Sequence, residues 1–142
     1  MKVRRSAERR AIPWKDLFAL AAKVRIRAYA PYSGFRVGAA VLTANGSIAG
    51  GCNVENSSFG LSTCAERNAI CAGISAAGFG RIVAVAIVTA ARRPCPPCGM
   101  CRQMMAEFGG ANLLVRSRTL RGTQASYQLG QLLPNAFGAQ FL

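Results

Sequence analysis

Cys64-Ala65-Glu66 and Pro97-Cys98-Gly99-Met100-Cys101 contain three cysteines and one glutamate at a spacing that suits metal and proton chemistry. The chain has no histidine, so its routes to a strong nucleophile are thiolate, carboxylate or metal-activated water. Cys98 and Cys101 stand one helical turn apart, and both sulfurs can face one point. A helix start favours thiolate over thiol, and thiolate is the form that binds zinc. Taken alone, this pair also fits core packing, because Cys101 belongs to the apolar stripe Met104, Met105 and Phe108. A redox Cys-x-x-Cys is a third reading.

Cys64 adds a third sulfur at the start of another expected helix. Three thiolates leave one tetrahedral position for water, as in catalytic rather than structural zinc sites. Cys95 is the candidate that would close the site as a fourth sulfur, while Cys52 and Cys71 read as ordinary buried cysteines. Glu66 has two readings. Thr63-Cys64-Ala65-Glu66 matches a capping box. Glu66 also heads the stripe Ile70, Gly73, Ile74, Ala77, which aims it into the core, where a carboxylate near a metal suits proton transfer. Arg67 follows Cys64 by one turn, and its guanidinium could offset the negative charge of three thiolates. A plain surface arginine fits Arg67 nearly as well.

The elements that must position these residues can be read from periodicity. Trp14, Leu17, Phe18, Ala21 and Val24 have helical spacing within 14–30, between Pro13 and Pro31. Strands are expected at 36–43 and 47–53, joined through Ala44-Asn45-Gly46, with Gly50-Gly51 marking a bulge or a close backbone approach. Helices at 64–77 and 98–108 alternate with strands at 82–88 and 113–116. A weaker strand at 124–127 and a helical turn at 129–132 follow. This order implies an α/β layered domain. If the strands before the two cysteine-bearing helices run parallel, both helices begin at one sheet edge, where such sheets bind ligands. Cys64 and Cys98 would then meet.

Composition bounds the rest. A chain of 142 residues that is half hydrophobic is one domain able to bury about 70% of its unfolded surface. Its longest apolar runs fall short of the ~20 residues a membrane span needs. The stretch Leu17 to Ala22 ends at Lys23 and does not fit a secretory signal. Six cysteines without such a signal point to reduced thiols or metal ligation rather than a disulfide framework, and a cytoplasmic setting is expected. The formal net charge is +13, and nine of the eighteen basic residues fall between Lys2 and Arg27. Residues 1–12 therefore read as a basic N-terminal arm before a single catalytic domain at 13–142. Such an arm is most simply a solvated segment, though phosphate-bearing partners also fit it.

Several separate motifs, in order, resemble the small cytidine deaminases that use three cysteines. They are the run from Ala28 to Ala40 through Tyr32-Ser33-Gly34-Phe35, then Gly51-Cys52-Asn53-Val54-Glu55-Asn56 and Thr63-Cys64-Ala65-Glu66-Arg67. Pro97-Cys98-Gly99-Met100-Cys101-Arg102-Gln103 and Leu132-Leu133-Pro134-Asn135-Ala136-Phe137 complete the set. The His-or-Cys-x-Glu and Pro-Cys-x-x-Cys pairing is the signature of zinc nucleobase deaminases. The resemblance implies a three-layer α/β/α sandwich with a mixed central sheet of about five strands, and a homotetramer. It implies one zinc ion per subunit on Cys64, Cys98 and Cys101, with Glu66 as the proton carrier. It further implies that the Ala65 N–H binds the pyrimidine carbonyl, Phe35 stacks on the base, and Asn53 and Glu55 bond the ribose hydroxyls. Phe137 would pack at a site shared between subunits.

The expected reaction is hydrolytic deamination of cytidine and deoxycytidine in pyrimidine salvage, with a nucleoside rather than a membrane as partner. The chain departs from the family at Phe59, where tyrosine is usual, at Pro96-Pro97 in place of Ser-Pro, and in its basic arm. Three further readings stay open: deamination of cytosine in single-stranded nucleic acid, deamination of a cytosine-containing antibiotic, or a non-catalytic zinc-stabilised nucleic-acid-binding module.

Overall fold

The computed structural model describes residues 11–78 and 80–142, so most of the basic arm lies outside the described residues. Helix α1 (Trp14–Arg25) buries Leu17, Phe18 and Ala21 on the stripe that the sequence marks. It stops five residues before the expected end at Ala30. Tighter bonds from the Arg27 and Ala28 N–H groups to the Val24 and Arg25 carbonyls turn the chain. Tyr29 then bridges Val54 beside the sheet instead of extending the helix.

The sheet is built from β1 (Val37–Thr43), β2 (Ile48–Cys52), β3 (Ile82–Thr89), β4 (Leu114–Thr119) and β5 (Gln124–Gln128), in the order β2-β1-β3-β4-β5. β3 and β4 pair in parallel, and the other neighbours are antiparallel. β2 and β3 still run the same way, with β1 inserted between them. Helices α2 (Ala65–Ala77) and α3 (Gly99–Gly109) follow β2 and β3, so both begin at one sheet edge. A single turn, α4 (Leu129–Leu132), follows β5.

Two apolar layers flank the sheet. On one face Leu17, Phe18 and Ala21 pack against Ala40, Ala84, Ala86 and Val88. On the other, α2 and α3 cover Val41, Val85, Ile87 and Val115. β3 is apolar on both faces because it is covered on both. Close approach, and no bulge, explains Gly51. Its pairing with Ala39 is regular, and a Cβ there would lie 2.3 Å from the Ala69 nitrogen of α2. Gly38 serves the opposite layer, where a Cβ would meet the Ala21 carbonyl oxygen of α1 at 1.9 Å.

β4 runs three residues past the expected end at Arg116. Val115, Ser117 and Thr119 are buried, while Arg116 and Arg118 turn to the α1 side. Their guanidinium carbons lie 4.3 Å and 4.5 Å from the ring centroids of Trp14 and Phe18. No helix among the described residues is long and apolar enough to cross a membrane.

Candidate active site and metal centre

Cys64 and Cys98 are the N-cap residues of α2 and α3, both in extended backbone conformation. Their carbonyls accept the first helical hydrogen bonds, from Asn68 and Arg102. Both sulfurs therefore stand at helix N-termini, at the positive ends of the helix dipoles. Cys101 lies in the first turn of α3 and is fully buried. The Cys64 Sγ is 3.7 Å from the Cys98 Sγ, which is 3.5 Å from the Cys101 Sγ. All three sulfurs lie within 4.8 Å of one another. Tetrahedral zinc with Zn–S bonds near 2.3 Å holds its sulfurs ~3.8 Å apart, so the donor set fits one zinc ion per subunit.

Electrostatics within the cluster point the same way. A hydrogen bond from the Cys101 thiol, with help from Arg67, pulls the Cys64 thiol down to about 5 against the opposing effect of burial. The same bond, together with burial and the Glu66 charge, pushes Cys101 up. Between these two thiols the negative charge thus leans toward Cys64, on the side of Arg67, and metal binding requires the thiolate form. An Arg67 Nη2 donates to the Ser62 carbonyl at 3.0 Å and approaches the Cys64 sulfur at 4.0 Å. It is therefore not a plain surface arginine.

Glu66 is 5% exposed. The capping-box reading fails, because Cys64 and not Thr63 is the N-cap, and no side chain caps α2. The Thr63 hydroxyl donates to the Leu61 carbonyl instead. Burial, with the Cys64 charge adding to it, pushes the Glu66 carboxyl up despite contacts that oppose the shift. A buried carboxyl beside three sulfurs is suited to accept and return a proton.

Cys64, Ala65, Glu66 and Cys98 line a cavity of about 250 Å³ whose other wall includes Phe35, Asn53 and Glu55. The Asn53 Oδ1 accepts the Val37 N–H at 2.8 Å and its Nδ2 donates to the Phe35 carbonyl at 2.8 Å, which fixes the loop that presents Phe35. Glu55 accepts the Tyr32 and Ser33 N–H groups at 2.9 and 3.2 Å and the Ser33 hydroxyl. The Ser33 hydroxyl is the main reason its carboxyl lies below the ordinary range. Ser33 also accepts the Phe35 N–H at 3.0 Å. Sequence reasoning did not single out Ser33, although Ser-Gly-Phe was a legible turn signal.

Four residues fall outside the cluster. Cys95 lines the cavity but is not among the clustered sulfurs. It accepts from the Thr89 hydroxyl at 3.8 Å and donates to the Arg93 carbonyl at 3.8 Å, so the fourth-sulfur reading lacks its ligand. Cys71, expected to be buried, is exposed, because the inward face of α2 is Ala65, Glu66, Ala69, Ile70 and Gly73. Cys52 is only half-buried. Phe137 stands away from the cavity, stacked on Phe141 with centroids 5.8 Å apart. Gln103 holds its carbonyl at 2.9 Å. Phe137 lines a larger cavity of about 650 Å³ in which Glu107 is the one ionisable group, and that cavity lacks the chemistry of the smaller one.

A model of the cytidine and deoxycytidylate deaminase zinc-binding region matches residues 14–116. The chain belongs to the cytidine and deoxycytidylate deaminase family. Within it, the chain is 46% identical over 120 residues to a cytidine deaminase of Halalkalibacterium halodurans, covering 84% of this chain and 90% of that protein. It is 43% identical over 127 residues to a Mycobacterium tuberculosis cytidine deaminase, covering 89% of this chain and 91% of the relative. The crystal structure of a Burkholderia pseudomallei cytidine deaminase superposes with a TM-score of 0.82 at 43% identity. It covers 87% of this chain and 98% of that one.

Proposed function

We propose that this deaminase-family chain converts cytidine and deoxycytidine to uridine and deoxyuridine by zinc-dependent hydrolysis, with release of ammonia. The observation that carries the reading is the buried Glu66 carboxyl beside three clustered sulfurs, at one end of a cavity that also contains Phe35, Asn53 and Glu55. Cys64, Cys98 and Cys101 would hold the zinc ion, which when bound would supply the Lewis acidity that lowers the pKa of water. Glu66 takes a proton from water, passes it to ring N3, then delivers the second to the leaving amino group. The water oxygen becomes the C4 carbonyl. One water proton ends on N3 and one departs with ammonia.

The Ala65 N–H, at the start of α2, suits the pyrimidine carbonyl, and the Phe35 ring suits the base. Asn53 and Glu55 keep lone pairs for ribose hydroxyls. Because Glu55 stays ionised, it repels a phosphate bound nearby, which favours a free nucleoside over a nucleotide. Zinc-loaded protein should convert cytidine to uridine, read as the change in ultraviolet absorbance; an unchanged spectrum overturns the reading. Glu66→Gln should retain stoichiometric zinc and lose at least ~100-fold in turnover.

The assembly is a homotetramer in which Phe137 packs at a neighbouring subunit's site. Phe59 at 76%, Leu61 at 68% and Phe137 at 59% exposure support this, since exposed large apolar side chains of this kind mark interfaces. Residues 13–142 form the catalytic unit. The setting is cytoplasmic, and the role is pyrimidine salvage.

A further inference from the structure

Five arginines that the deaminase chemistry does not use lie on β4, in the turn after it and in the adjoining loop after β3. Arg116 and Arg118 lie on the α1-side face of β4, each stacked on an aromatic ring. α1 packs over β1, β2 and β3. On the same face β5 presents Ser126 opposite Arg116 and Gln124 opposite Arg118, both exposed. Arg121 follows in the turn after β4. The Leu120 N–H in that turn bonds to the Thr89 carbonyl at 3.0 Å, which ties it to the loop carrying Arg92 and Arg93. Arg92, Arg93 and Arg121 are exposed, and their side chains have no hydrogen-bond or ion-pair partner among the described residues.

Among the described residues, no acidic side chain neutralises this band. The chain has five acidic residues against eighteen basic ones. Of the five, Glu55 and Glu66 face the cavity, and Glu8 lies outside the described residues. Asp16 and Glu107 stand on α1 and α3 and pair with none of these arginines.

We infer that the band from Arg116 through Arg121 to Arg92 and Arg93 docks the phosphate backbone of a single-stranded nucleic acid. Guanidinium forks match phosphate oxygens. Arginines held over Trp14 and Phe18 are side chains on which unpaired bases can stack. The open face adds Gln124, Ser126 and Gln128 as hydrogen-bonding groups. An anionic membrane fits less well, because among the described residues the band carries a single exposed apolar side chain, Leu120 in the turn after β4, whereas a membrane surface presents several apolar anchors. The inference stands apart from the deaminase reading and requires no deamination within the strand.

The test is fluorescence anisotropy of a labelled twelve-nucleotide oligouridylate against the full zinc-loaded chain, from about 50 to about 200 mM salt. Arg92→Gln/Arg93→Gln/Arg121→Gln removes three charges without breaking a contact. It should weaken binding at least ~10-fold at the lowest salt and flatten the log–log salt slope by about 2, at ~0.7 per lost phosphate contact. Turnover of cytidine by this variant should be unchanged. Arg116→Gln/Arg118→Gln should weaken binding in the same direction. Three results would each overturn the inference: no binding by the parent at low salt, unchanged affinity and slope in the triple variant, or complete loss on Lys2→Gln/Arg4→Gln/Arg5→Gln alone. Binding to phosphatidylserine vesicles without binding to the oligonucleotide would also overturn it, in favour of a membrane.

Discussion

At the scale of single residues, Glu66 and Arg67 act on the sulfur cluster in opposite senses. Burial raises the Glu66 carboxyl above its ordinary value of 4.5, so the folded state holds that proton more tightly than the unfolded chain. Its contribution to stability is full below about 4.5 and is lost as pH rises through the higher folded value. Metal-free Glu66→Gln lacks this loss. Its melting temperature should therefore fall less than that of the parent between pH 4.5 and neutrality, followed by circular dichroism. A parent whose melting temperature climbs relative to the variant over that range would contradict the assignment. Arg67 works through charge, with its Nη2 4.0 Å from the Cys64 sulfur. Arg67→Gln should weaken zinc binding about 10-fold, as outer partners of metal ligands commonly do, measured against a chromophoric chelator. Both residues were legible in the sequence, because Cys-Ala-Glu-Arg at a helix start fixes which side chains share a face with the thiol. The first helical residue was not. Thr63 is the stronger capping type, yet Cys64 takes the cap position, and this sets where its sulfur stands.

At the scale of elements, the site depends on how closely α2 lies on β2. Gly51 permits that approach, since a Cβ would fall 2.3 Å from the Ala69 nitrogen and 2.7 Å from the Ala65 carbonyl oxygen. The Asn68 Nδ2 adds a hydrogen bond to the Cys52 carbonyl at 2.8 Å. Gly51→Ala must displace backbone that carries Cys64 and Ala65, and should cost about 3 kcal/mol or more. Gly60→Ala meets open space and should leave thermal unfolding nearly unchanged, which makes it the matched control. Close approach at Gly50-Gly51 was one of two readings available from sequence, and only the helix position decides between them. Strand β4 was legible only in part. Its alternation of Val115, Ser117 and Thr119 with Arg116 and Arg118 is regular, but charged side chains read as a strand's end until Trp14 and Phe18 cover them. The end of α1 was illegible for a similar reason, because Tyr29 is claimed by Val54, a partner distant in sequence.

At the scale of the whole molecule, sheet order is what local pattern could not supply. The Asn45-Gly46 turn requires β1 and β2 to be antiparallel neighbours, but nothing nearby in sequence seats β1 between β2 and β3. The convergence of Cys64 and Cys98 was nevertheless legible, because it needs only that β2 and β3 run the same way. Exposed apolar side chains bear on assembly. Tyr29, Tyr32 and Val54 are exposed near the Glu55 end of the cavity, beside Phe59 and Leu61. The proposed tetramer should appear as a mass about four times that of the 15.0 kDa chain in light scattering. A monomer would remove Phe137 from any role at a neighbouring site.

The guanidinium of Arg102 has one further consequence. Its Nε donates to the Pro97 carbonyl at 2.7 Å and an Nη donates to the Leu132 carbonyl at 2.9 Å. A single planar, rigid group thus clasps both the residue immediately before Cys98 and the last residue of α4. A shift of the α4 turn would therefore be carried through that group to the loop presenting Cys98.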